Sequence, residues 1–156
     1  MKKIFKLALI AVSIGLFAGC GGSGEQKTQD VKEKAPSTSN VNPDNPMSNK
    51  GIGPVKQISL GDINPTMVAE GEVIYKSLCS ACHKAEEKFI GPAPKGIMER
   101  RSPEWIMNMI LNPEEMVKSD PIAKKLLAEY NFAPMANQHL TEDQARKVLE
   151  YFRTLK

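Results

Sequence analysis

The sequence predicts an all-α fold: one small domain of about four to five short helices, preceded by a disordered tether. Three observations predict it. A capping residue followed at once by proline recurs at Asn64-Pro65, Ser102-Pro103, Asn112-Pro113 and Asp120-Pro121, the pairing that opens a helix because proline at its first position has no amide hydrogen to leave unpaired. Apolar residues return at helical spacing at both ends of the predicted domain. No stretch alternates apolar and polar residues as a half-buried strand does.

The elements follow in order. Asn64 caps a helix on which Met67, Gly71, Ile74, Tyr75 and Leu78 form one face, running up to Cys79. Helices then start after Ser102, Asn112 and Asp120. The last begins at a capping box, Thr141 with Gln144, and carries Ala145, Val148, Leu149, Phe152 and Leu155 on one side. Glu114, Glu115, Glu142 and Asp143 stand at helix starts, where the helix dipole favours anions, so they need no catalytic role. The predicted domain spans residues 64–156.

What precedes it is of a different kind. Residues 1–19 read as an export signal, with Lys2, Lys3 and Lys6 ahead of an apolar run from Leu7 to Phe17 that is short for a bilayer span. The run ends in Leu16-Phe17-Ala18-Gly19-Cys20, which resembles a bacterial lipoprotein signal. That resemblance implies cleavage before Cys20 and lipidation of its sulfur and new amino terminus. Residues 20–50, rich in Gly, Ser, Pro, Asn and Lys and without an aromatic residue, are expected to be a lipid-anchored flexible linker. As a coil it would hold its ends roughly 30 Å apart. Residues 51–63 differ again: Ile52, Val55, Ile58, Leu60 and Ile63 are spaced like an extended strap that lies against the domain.

Charge excludes one class of partner. Of 21 basic residues, removing Lys2, Lys3 and Lys6 leaves 18 against 18 acidic ones. With no net charge and no basic stripe, nucleic acid is not an expected partner.

Chemistry concentrates in Cys79-Ser80-Ala81-Cys82-His83. The chain has three cysteines, one at the lipid site and two here. A zinc site needs two further ligands, and His139 is the one other histidine. A redox dithiol sits at a strand-to-helix turn, and it leaves His83 unexplained. Covalent attachment of haem c accounts for all three residues: the two sulfurs add to the porphyrin vinyl groups, and the adjacent histidine reaches the iron.

From the haem motif outward, residues 64–156 resemble the class I cytochrome c family. Gly71 and Tyr75 match its glycine-aromatic pair on the first helix, with Val148 and Tyr151 as partners on the last. The resemblance implies further roles. Pro92, of Gly91-Pro92, would accept the proximal imidazole N–H. Arg100 would pair with a haem propionate, and Arg101 beside it could help to neutralise the charge. Met135, in the loop before the last helix, would be the sixth ligand, with His139 as its rival and Met98 as a weaker methionine; Met107, Met109 and Met116 are expected to pack in the core or against the haem. Trp105, the sole tryptophan, has two open readings, an indole N–H reaching a propionate or simple burial. Lys124 and Lys125 are expected to be solvated rather than to form a docking site.

The function expected is that of a monomeric one-electron carrier rather than an enzyme, held by lipid on the periplasmic or outer face of a bacterial membrane. It would shuttle electrons from a quinol-oxidising complex to a terminal reductase or oxidase. The stretch from Glu99 to Leu140 is similar to monohaem cytochromes that accompany nitrous oxide reductase, which suggests that reductase as acceptor. The alternatives are a haem enzyme or gas sensor with a labile sixth ligand, and a thiol oxidoreductase.

Overall fold

The computed structural model describes residues 45–156. The predicted signal segment, Cys20 and the linker up to residue 44 lie outside the described residues. Those described form five α-helices and two short 3-10 turns, with no strand among them. The helices are α1 (Pro65–Leu78), α2 (Pro103–Leu111), α3 (Pro113–Ser119), α4 (Pro121–Glu129) and α5 (Glu142–Phe152); the 3-10 turns are Pro46–Ser48 and Ile97–Glu99.

The caps explain the boundaries. Asn64 Oδ1 accepts from the amides of Thr66 and Met67 at 3.0 and 3.1 Å. Ser102 Oγ accepts from Trp105 N at 3.1 Å, and Asp120 Oδ1 from Ala123 N at 2.8 Å. At α5 the reciprocal box is complete, Thr141 with Gln144 at 3.2 and 2.9 Å. Each such cap stabilises its helix by about 1 kcal/mol. Asn112 differs from expectation. It occupies the cap position of α3, but its side chain makes no capping bond and its amide donates to Ile52 O at 3.2 Å. The reason is its double position: Asn112 also closes α2, and the strap passes within its reach.

The first and last helices cross at Gly71. A Cβ there would lie 1.9 Å from Lys147 O and 3.0 Å from Val148 N, so only glycine lets the two backbones meet. Tyr75 packs against Tyr151 with ring centroids 5.3 Å apart and edge-on against Phe152 at 5.8 Å. Val148 and Leu149 are fully buried beneath the crossing. Glu150, equally buried, accepts from Arg146, from Arg153 at 2.7 Å and from Asn64 N at 2.9 Å. Burial alone would raise its carboxyl, but these donors outweigh burial and hold it below the usual carboxylate range.

The strap lies along α2. Asn108 clamps it: Oδ1 accepts from Val55 N at 3.0 Å while Nδ2 donates to Lys50 O and Val55 O, each at 2.8 Å. A Cβ on Gly53 would sit 2.3 Å from Asn108 Oδ1, so the strap can approach this closely only as glycine. Val55 is buried and Ile52, Ile58 and Leu60 pack on the core, whereas Ile63 stays 42% exposed. The boundary drawn at residue 50 needs correction. Asn49 is completely buried and its side chain bonds Asp120, so residues 45–50 belong with the strap rather than with a flexible linker. A polar composition hid this, because what holds Asn49 is hydrogen bonding and not apolar burial.

Candidate functional site

The site begins where α1 ends. Cys79 closes the helix, its amide bonded to Tyr75 O at 2.9 Å. The chain then turns, with the amides of Cys82 and His83 both bonded to Cys79 O. One turn thus gathers the two thiols and the imidazole. Tyr75, buried under the turn, donates its hydroxyl to His83 O. Burial first, then Tyr151 and Cys79, push the Tyr75 phenol up to about 12, so it remains a donor.

His83 is set from its far side. Its Nδ1 lies 2.8 Å from Pro92 O. A carbonyl can only accept, so Nδ1 carries the proton and Nε2 keeps its lone pair for a metal. Gly91 makes room for the ring: a Cβ there would lie 2.4 Å from His83 Cε1. Gly91 N is bonded to Cys82 O at 2.9 Å, which closes the loop back on the motif.

These groups line one cleft of about 250 Å³ with mainly apolar walls. Cys79, Cys82, His83 and Pro92 line it together with Met135 from the loop between α4 and α5. Arg100, Trp105 and Met109 also line it, while Met98, Met107, Met116 and His139 do not. Met107 and Met116 are buried in the core, and Met98 packs against it. His139 is exposed, with its backbone in the left-handed region at φ 53°. Of the two histidines only His83 faces the cleft, so the rival ligand is not placed to reach it.

The structure decides between the two readings of Trp105. Trp105 donates its indole N–H to Asp120 Oδ1 at 3.1 Å, so the ring forms wall and its N–H is not free for a propionate. Arg100 directs its guanidinium at loop carbonyls, Nη1 to Lys95 O at 2.8 Å and Nη2 to Ala93 O at 3.1 Å. Its neighbour Arg101 is half-buried over the Trp105 ring, 5.3 Å from the centroid, and its Nε is buried without a partner.

The Cys79 thiol does not suit redox catalysis. A nucleophilic cysteine has a depressed pKa, whereas burial, and then Cys82, raise the Cys79 thiol to about 11. Among the described residues no cluster of three or more His, Cys, Asp or Glu could hold a metal ion, so a zinc site lacks ligands. The cleft does fit haem: two adjacent thiols for covalent attachment, an imidazole whose second nitrogen is left free for a metal, and a glycine that leaves the ring space.

Fold and cleft together define a small all-α protein built to hold haem for electron transfer. The family model for cytochrome c matches residues 68–156. Solved structures agree. Cytochrome c from Rhodothermus marinus is 44% identical with a TM-score of 0.64, covering 66% of this chain and 89% of that one. An engineered form from the same organism, bound to a carbene intermediate, is 44% identical at a TM-score of 0.61, with coverage of 66% and 89%. A cytochrome c domain from Pseudomonas putida is 28% identical at 0.50, covering 53% of this chain and 84% of that one. Comparison with curated proteins gave no match. The chain belongs to the cytochrome c family. It binds haem c covalently, its C-x-x-C-H motif supplying Cys79 and Cys82, and its role is electron transfer.

Proposed function

We propose that this chain is a lipid-anchored one-electron carrier in which His83 and Met135 would hold the haem iron and Cys20 bears the lipid. The observation that carries the reading is that His83 and Met135 line the same apolar cleft. Held by both, the iron would be closed to a substrate. Bound haem supplies one-electron exchange at iron, and thioether ligation favours the ferrous state.

The protein's own contribution is positioning and exclusion. Pro92 O holds the imidazole proton on Nδ1, and Gly91 and Tyr75 fix the ring and its backbone. Apolar walls limit water at the site and with it the rearrangement that accompanies a change of charge. Docking to partners is weak and brief, as for other redox encounters. The lipid and linker confine the search to the membrane surface and raise effective concentration. No helix among the described residues is long and apolar enough to cross a membrane; what supports Cys20 as the anchor is the lipoprotein-like run Leu16-Phe17-Ala18-Gly19-Cys20. The carrier works outside the cytoplasm, between a quinol-oxidising complex and a terminal reductase or oxidase, with nitrous oxide reductase as the favoured acceptor.

Optical spectra of the holoprotein test this. The ferric form is expected to show the weak long-wavelength band of thioether-bound iron, lost in Met135→Ala and kept in Met98→Ala. Rapid, complete binding of carbon monoxide by the reduced protein at neutral pH would overturn the carrier reading in favour of a haem enzyme or gas sensor. Mass spectrometry of the native amino terminus, with membrane fractionation of Cys20→Ser, tests the anchor.

A further inference from the structure

The turn that follows α4 is strained, yet it presents its largest side chain to solvent. Asn131 and Phe132 both lie in the left-handed region, at φ 56° and 58°. Asparagine tolerates that conformation, but a phenylalanine there is an outlier. The turn is held by Phe132 N donating to Leu127 O at 2.8 Å and by Ala133 N donating to Tyr130 O at 3.1 Å. Phe132 gains no burial in return: it is 71% exposed and takes no part in the core. Neither backbone nor core accounts for a phenylalanine here, which leaves the surface.

Phe132 stands beside a shallow recess. Tyr130, Asn131 and Ala133 meet Lys88, Phe89 and Ile90, from the loop after the haem motif, around it. Ile90, Tyr130 and Ala133 also line the haem cleft, so recess and cleft share a wall. Lys88 lies over the Tyr130 ring, 4.5 Å from its centroid, and Lys84 over the Phe89 ring at 5.0 Å. Phe89 and Ile90 are each half exposed. With Phe132 they present about 300 Å² of apolar surface, the size of patches that serve for binding. The same two segments carry Glu86, Glu87 and Glu129. Those carboxylates weaken attraction to an anionic membrane, and the mixture of signs favours neither a strongly acidic nor a strongly basic protein. A knob and a recess side by side, on a surface of mixed charge, are complementary to themselves. A two-fold axis between them seats Phe132 of each copy in the recess of the other and lets lysines of one meet glutamates of the other.

We propose that a second copy of this chain docks on this patch, with Phe132 as the anchor, and that the docked pair exchanges an electron between its two haems. The proposal rests on the carrier reading of the cleft. One electron leaves the ferrous iron of one copy and enters the ferric iron of the other; no bond is made or broken and no proton moves. Pairing removes about 600 Å² of apolar surface, against about 1,200–2,000 Å² in total for a stable interface. The copies therefore meet and part, as carriers must. Copies anchored on one membrane surface then pass electrons from one to the next without each having to reach the acceptor.

The test is the rate of electron self-exchange in mixtures of reduced and oxidised full-length holoprotein, read from nuclear magnetic resonance line broadening of the haem methyl signals as concentration rises. Intact mass and absorption spectrum verify attachment and ligation in each variant. Phe132→Gly relieves the left-handed backbone, so it is expected to melt no lower than the native protein. It nevertheless slows exchange by at least about tenfold, because the symmetry removes the anchor twice. Phe89→Ser slows exchange as well, and decides the matter if Phe132→Gly does not accumulate as holoprotein. Val73→Ser removes an exposed apolar side chain that lines neither cleft nor recess, and it keeps the native rate. A native rate in both Phe132→Gly and Phe89→Ser, with the native spectrum, would overturn the proposal and leave the carrier reading standing. Loss of binding to anionic phospholipid vesicles in Phe132→Gly at that native rate would overturn it in favour of a membrane contact. Rapid carbon monoxide binding by the reduced native protein would remove the carrier reading and the proposal together.

Discussion

Replacing Gly71 with alanine tests the packing on which the whole domain is built. The added Cβ would lie 1.9 Å from Lys147 O. A carbon and a carbonyl oxygen approach no closer than about 3.3 Å, so α1 and α5 must separate by more than an ångström. The obstacle is backbone, which cannot rotate aside as a side chain can. A gap of that size forfeits a quarter to a half of the dispersion energy along the contact, including the Tyr75 contacts with Tyr151 and Phe152. Overpacking of this kind costs about 3 kcal/mol, and the better helix propensity of alanine returns about 1. The net loss is about 2 kcal/mol, which lowers Tm by roughly 10 °C in a domain of this size. Thermal unfolding of the holoprotein, followed by far-ultraviolet circular dichroism, reads it directly. Gly61→Ala is the control, because nothing lies within 4 Å of a Cβ there. If both variants melt within about 2 °C of the native protein, the crossing is not set by Gly71 and the reasoning fails.

Other predictions follow from single contacts. Asn108→Ala removes the three bonds that clamp the strap and is expected to destabilise by about 2–3 kcal/mol, with faster amide exchange at Val55 as the local signature. Glu150 has a lowered carboxyl pKa, so its contribution is present above the unfolded value near pH 4 and disappears as pH falls through the folded one. Urea unfolding of Glu150→Gln should therefore show a flatter loss of stability on acidification than the native protein, and an unchanged acid limb would contradict it. Gly91→Ala places a Cβ 2.4 Å from His83 Cε1, and it should weaken the imidazole–iron bond enough to change the absorption spectrum while the haem stays covalently attached.

Most of the helix order was legible because it rests on local rules. A cap, a proline and an apolar periodicity all lie within one or two turns, and Asn64, Ser102, Asp120 and Thr141 obey them in three dimensions. The haem motif is legible for the same reason: two thiols and an imidazole must share one turn to meet one porphyrin. What sequence could not give is competition between partners. Asn112 has the identity of a cap but meets the strap instead. Trp105 has the donor a propionate wants, and Asp120, fifteen residues away in the chain, takes it. Arg100 also gives two of its five N–H groups to carbonyls of its own loop, Lys95 O and Ala93 O, which its place in the sequence does not announce. Each case turns on a contact between elements whose relative placement is set by the Gly71 crossing and the strap, not by neighbouring residues.

The strap joins these observations. Asn108 and Asn49 are both nearly inaccessible to solvent, and each satisfies its amide on the strap or on the residue that anchors it. Buried amides of this kind are costly unless every donor and acceptor is paired, so the strap cannot leave without stranding polar groups in the core. That makes its release an all-or-none event rather than a fraying end. The contacts that hold residues 49–55 against α2 also continue through Asp120 and Trp105 to the wall of the haem cleft, so loss of the strap would unsettle that wall as well.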